Sequence, residues 1–253
     1  MVRMTEKRFL MKIPRKITPD RIRDSIVEIR YNTDIPFEAL IGIFYQAVNG
    51  SFKYTNRPLG KQQFPIVSSL PQEITLSLGG LSLFHNDRIK VQLQPNSIIF
   101  NCVNDYIGWE NYKTEIENTM TIFSAIIKID NYTRIGMRYI SEYANHDLVD
   151  CVKFSFTFGL PEIKSETYSF RSEFKWEEYK IILNLNNKLL IVKEHGNQPT
   201  PTSIIDIDVI DESVNENDLK TLLIKFEKIH SKEKDVFFSI LKEGFLETLK
   251  PEY

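Results

Sequence analysis

The sequence predicts an α+β fold of two similar halves, each an antiparallel meander sheet packed on a long helix, with two further helices at the C-terminus. Three observations carry this reading. Short stretches of alternating apolar and polar residues, joined by tight turns, recur in both halves. A long apolar stripe of helical period runs from Trp109 to about Ile129. The tetrapeptide Glu28-Ile29-Arg30-Tyr31 has an echo in Gly136-Met137-Arg138-Tyr139, which places the same strand at the head of each half. The 17 Phe and 11 Tyr suit a strand-rich core.

Residues 1–24 carry Pro14 and Pro19 among basic residues and read as an extended N-terminal arm. The first unit spans residues 25–131. It opens with the strand Ser25–Tyr31. Pro36 suits a first helical turn, and Phe37, Leu40, Ile41, Phe44 and Val48 give one apolar face to a helix that Asn49-Gly50 ends. Pro58, Gly60, Pro65 and Pro71 mark residues 51–72 as a loop, whose Lys53, Tyr54, Arg57 and Lys61 are a basic and aromatic set. A strand at Ile74–Leu78 then begins a meander. Ile89, Val91 and Leu93 alternate with Lys90, Gln92 and Gln94, so one face of their strand is buried and the other wet. Pro95-Asn96 turns into Ser97–Val103, and Asp105 or a neighbour caps the long helix.

The second unit, residues 132–253, starts with the strand Arg134–Tyr143. Val152–Phe158 and Tyr168–Trp176 alternate as strands. Tyr179–Leu185 pairs with Lys188–Lys193 through a turn at Asn186-Asn187, and Ser203–Ile210 is the last strand. Two helices follow, at about Glu216–His230 and Lys232–Leu249. The two units pack as one body.

Bulk properties narrow the function. Only 10 Gly are present, and the chain has no P-loop, dinucleotide fingerprint or zinc spacing, so no cofactor is implied. Cys102 and Cys151 read as two free thiols in a reducing cytoplasm. No apolar run has the length of a membrane span. Residues 1–30 hold nine Lys/Arg against four Asp/Glu, whereas residues 204–253 hold seven against twelve. The basic arm therefore lies on the acidic C-terminal surface, in its own chain or a neighbour's, or else it holds nucleic acid. The net charge of -2 disfavours a general affinity for phosphate backbones.

Several stretches taken together resemble a known family. These are Ile26-Val27-Glu28-Ile29-Arg30-Tyr31, Gln94-Pro95-Asn96-Ser97-Ile98, Tyr106-Ile107-Gly108-Trp109-Glu110-Asn111-Tyr112 and Arg134-Ile135-Gly136-Met137-Arg138-Tyr139-Ile140, with His230, Phe237, Phe238 and Ile240 near the end. The family is a sporadically distributed bacterial group of uncharacterised proteins, and the resemblance covers nearly the whole chain. It brings no catalytic residues. Its patchy distribution implies mobile gene neighbourhoods, including phage-defence and toxin–antitoxin operons. The element order is also similar to helix-grip and TATA-binding-protein-like duplications.

Two sets of residues are candidates for chemistry. Arg30 and Arg138 each sit in a core strand beside Tyr31 and Tyr139. They pair with carboxylates such as Glu28 or Glu142, or line an anion pocket between sheet and helix. Asp206 and Asp208 fall on one face of a strand about 7 Å apart, where they hold a divalent metal or form an acidic wet face. The histidines His85, His146, His195 and His230 stand beside no nucleophile in a recognisable triad. The expectation is a cytoplasmic, non-catalytic binding or regulatory protein that acts through a protein partner encoded nearby, with a homodimer also expected. A sensor of a small anionic or nucleotide-like ligand and a metal-dependent hydrolase are the alternatives.

Overall fold

The computed structural model describes residues 12–55, 82–154, 166–191 and 199–253. Its described strands form one antiparallel sheet. In chain order the elements are β1 (Ile22–Asn32), α1 (Phe37–Val48), β2 (Lys53–Thr55), β3 (Ser82–His85), β4 (Ile89–Gln94), β5 (Ser97–Cys102), α2 (Trp109–Ile126), β6 (Asn131–Ala144), α3 (Leu148–Cys151), β7 (Tyr168–Trp176), β8 (Tyr179–Ile191), β9 (Thr200–Asp211), α4 (Leu219–Ile240) and α5 (Glu243–Thr248). The nine strands lie in the order β2-β3-β4-β5-β1-β6-β9-β8-β7. The fold is therefore α+β, and the two first strands of the sequence reading, β1 and β6, are central neighbours. Glu28 lies directly opposite Gly136 in their register.

The helices cover one face of this sheet. Val27, Ile29 and Tyr31 of β1 and Ile135, Met137, Tyr139 and Tyr143 of β6 point into the core, as alternate residues of a strand must. Tyr31 meets Phe123 of α2 edge-on, Phe44 of α1 meets Phe84 of β3, and Tyr143 meets Phe245 of α5. Tyr112 of α2 places its hydroxyl 2.8 Å from the Phe100 carbonyl and 3.1 Å from that of Ser25, which ties the helix to β5 and β1. No helix among the described residues is long and apolar enough to cross a membrane.

Several elements differ from expectation. The long C-terminal helix does not break at Ser231. Leu222, Phe226, Ile229, Glu233 and Val236 keep one stripe in register through it, so α4 runs for 22 residues and only α5 stands apart. The hairpin expected at Asn186-Asn187 is instead a bulge within one strand, β8. Its register against β9 slips between Asn186 and Leu189, and Lys188 takes φ 49°. The Asn187 amide stabilises this kink, accepting from the Leu148 N–H and donating to the Glu166 carbonyl. β9 begins earlier than expected and includes Pro201, opposite Leu190. The N-cap of α2 is Gly108 at φ 81°, a left-handed conformation that glycine tolerates, rather than Asp105. β2 lies within the stretch read as a loop. The strands expected at Ile74–Leu78 and beyond Phe154, and the loop residues Arg57 and Lys61, lie outside the described residues.

The basic arm, from Lys12 onward, runs beside the C-terminal tail of its own chain. Arg15 and Lys16 donate backbone N–H groups to the Glu252 carbonyl, and Glu252 donates back to Lys16. The Lys12 ammonium lies 4.9 Å from the Tyr253 ring centre.

Candidate functional site: a charge ladder across the helix-free face

Alternation that sends Tyr31 and Tyr139 into the core sends Arg30 and Arg138 to the opposite face, which no helix among the described residues covers. The four residues therefore do not line one pocket between sheet and helices. Nor do the two arginines meet. Arg30 opposes Arg134, four residues from Arg138, so their Cα atoms are roughly 14 Å apart. Each has a carboxylate instead.

These pairs join into a ladder that crosses five strands. At one end Glu28 of β1 accepts from Arg30 Nε at 2.9 Å and from the Arg134 guanidinium of β6. Arg134 reaches Glu28 by folding back over Gly136. A Cβ at that glycine would meet the guanidinium nitrogens at 3.3 Å. Further along β6, Arg138 makes a two-pronged bond to Asp206 of β9, Nε to Oδ1 and NH2 to Oδ2, each 2.7 Å. Asn184 of β8 donates to Asp206 Oδ2 at 2.9 Å and accepts from Arg171 of β7 at 3.3 Å. Arg171 also holds Glu173, which is shared with Lys180 of β8. Half-buried Ile26, Ile99, Ile140 and Ile182 stand between these polar groups on the same face.

The register explains the arrangement. Arg138 stands between Ile26 and Asp208, and one step along, Ile140, Asp206 and Asn184 form the next row. Asp206 is 2% exposed and Asn184 5% exposed, so this hydrogen-bonded set is screened from water. Arg138 is held above its ordinary pKa: burial opposes its charge, but the Asp206 carboxylate outweighs that. Arg134 is lowered, chiefly by burial, with Asp208 and Glu212 acting against the shift.

Asp208 is the surplus carboxylate. It lies opposite Arg138, and Arg134 and Arg138 both act on it electrostatically. Burial nevertheless pushes its carboxyl up to about 6, with the nearby Asp206 adding to the shift. Both Asp206 oxygens are taken by Arg138, and no group of three or more His, Cys, Asp or Glu fit to hold a metal occurs among the described residues. Arg134, Asn184 and Arg171 were missed from sequence. Arg134 had a legible signal, since it lies four residues from Arg138 on the same strand face. Asn184 and Arg171 had none, because their strands' order in the sheet sets their place.

Two surface depressions among the described residues lie elsewhere. One of about 470 Å³ runs between α2 and α4, lined by Leu219, Leu223, Ile224 and Lys113. Another of about 560 Å³ lies between α1 and β2, lined by Ile41, Tyr45 and Tyr54. Neither includes a residue of the ladder. No model of a known protein family matches the chain, and no curated protein matches it.

Proposed function

We propose that this chain is a non-catalytic binding protein that engages a protein partner through the sheet face opposite its described helices. One observation carries the reading: this face interleaves Ile26, Ile99, Ile140 and Ile182 with arginines whose charges are already neutralised by Glu28 and Asp206. Prepaired guanidiniums and aliphatic side chains suit a protein surface, where charges must be matched before they are covered. A small anion would have to displace a bidentate carboxylate to reach Arg138. Nine strands at about 4.8 Å spacing give a face roughly 40 Å wide, ample for an interface of standard size.

The two halves are proposed to descend from a duplication. Each runs strand, helix, further strands, long helix, and the matched positions Glu28 and Gly136 face each other where a pseudo-twofold axis would pass. The resemblance seen in the sequence supports a bacterial phage-defence or toxin–antitoxin setting, with the partner encoded nearby. The test is co-purification of the tagged full chain with the products of adjacent genes. A partner should be retained by the wild type and lost from an Ile140→Glu, Ile182→Glu variant with an unchanged circular dichroism spectrum. Recovery of the chain alone, or equal retention by the variant, overturns the reading. A thermal-shift screen with nucleotides should be flat; a rise with one of them would favour ligand sensing.

A further inference from the structure

Helix α4, the last long element of the chain, packs on β9 and β6, and its buried stripe contains one acid. Leu222, Phe226, Ile229 and Val236 are apolar, but Glu233 stands among them at 5% exposure. The groups around it are almost all uncharged. Its charge acts on Tyr139 of β6 and on Tyr106 of the segment before α2, whose hydroxyls are 3.2 Å apart. Asp20 of the N-terminal segment acts on Tyr106 and adds negative charge. From α4 itself come His230, one turn before, and Lys234, next in the chain. The Lys234 ammonium is directed to the Arg15 carbonyl at 3.5 Å. The Lys113 ammonium of α2 is engaged by Glu227. The His230 Nδ1 is buried with no hydrogen-bond partner, and burial pushes the ring down to about 3, with Lys234 and Lys113 adding to the shift, so it supplies no positive charge near neutrality. Burial raises the Glu233 carboxyl to about 8, with Lys234 acting weakly against the shift.

The same helix touches both tryptophans of the protein. The Trp109 ring stacks on His230 with centres 3.8 Å apart, and its Nε1–H donates to Glu227 at 3.2 Å. Trp176, at the end of β7, lies under the Lys232 ammonium at 3.9 Å, and Lys232 also bonds Glu177 at 2.8 Å. These contacts lie within the two turns of α4 that precede Glu233.

We infer that α4 is a proton-held clasp: Glu233 keeps its buried place in the α4 stripe only as the neutral acid, and loss of its proton loosens α4 from β6 and β9 while the sheet stays folded. A carboxylate at this buried position would be opposed only by Lys234 of its own helix, whose ammonium is directed to the Arg15 carbonyl, so undocking is its route to water. Both tryptophans would then lose their α4 partners.

The test is tryptophan emission, excited to avoid tyrosine, from pH 6 to 10, together with amide exchange of α4. The wild type should show an emission change centred between about pH 7.5 and 9. Once corrected for the pH-dependent intrinsic exchange rate, protection should fall at least tenfold in Ile229–Phe237 and stay unchanged in β1 and β6. Glu233→Gln should show neither; Glu233→Leu serves if that variant misfolds. An identical transition in the substituted protein overturns the inference, because other groups would then cause it. So does a wild-type α4 whose exchange keeps its protection up to pH 9.5.

Discussion

The Asp206→Ala substitution tests whether the ladder is a locked network or a set of incidental surface pairs. Asp206 is 3% exposed at its side chain and holds Arg138 by two bonds, with Arg138 only 19% exposed. Removing one partner of such a pair typically costs about 3–5 kcal/mol, because the other charge is left buried. The Asn184 amide also loses its acceptor, which adds about 1 kcal/mol. Partial exposure lets Arg138 turn toward water, so the expected total is about 3–4 kcal/mol. For a chain of this length that lowers the melting temperature by roughly 6–16 °C. The paired replacement Arg138→Met with Asp206→Leu removes both charges and should cost much less than the sum of the two single replacements. Urea unfolding at pH 7 of the wild type, both singles and the double gives the coupling energy directly. A coupling above about 2 kcal/mol is expected. Singles that each cost under about 1 kcal/mol and add in the double would refute the network, and the pairs would then rank with ordinary surface ion pairs.

Other outcomes follow from the same geometry. Gly136→Val places a side chain where the Arg134 guanidinium lies, so it should cost about 1–3 kcal/mol, and Arg134→Met should recover part of that loss in the double variant. Tyr112→Phe removes the hydroxyl shared by the Phe100 and Ser25 carbonyls and should cost about 1–2 kcal/mol by chemical denaturation, with α2 still helical. Asp208 has a folded pKa raised from 3.8 to about 6, so the folded state retains the proton more tightly and stability falls as pH rises through that window. Asp208→Asn should flatten this fall and stabilise the protein at pH 7 by at most about 3 kcal/mol. Both variants should match near pH 3.5, measured by denaturant midpoint across pH.

Much of the architecture was legible because local patterns are set by local physics. The stripe of Tyr112, Ile116, Met120 and Phe123 could bury only as a helix, and Ile89, Val91 and Leu93 only as a strand with one dry face. The pairing of Arg30 with Glu28 was also within reach, since residues two apart on a strand share a face. The misreadings came where one local cue was outweighed. Asn186-Asn187 looks like a turn, but the Asn187 side-chain amide is consumed by α3 and by the segment before β7, and the strand runs on. Ser231 looks like a break, but the apolar stripe on both sides holds α4 straight.

The sequence by itself determined the class of fold, the central place of the segments around Arg30 and Arg138, and which residues of a strand share a face. Only the tertiary structure decided who meets whom. Arg138 finds Asp206, 68 residues later, because β9 returns beside β6, and Glu28 holds Arg134 because β1 and β6 are neighbours in one register. Alternation is a property of a single strand and can be read along the chain. Partnership depends on strand order and register, which are fixed by how the whole core closes.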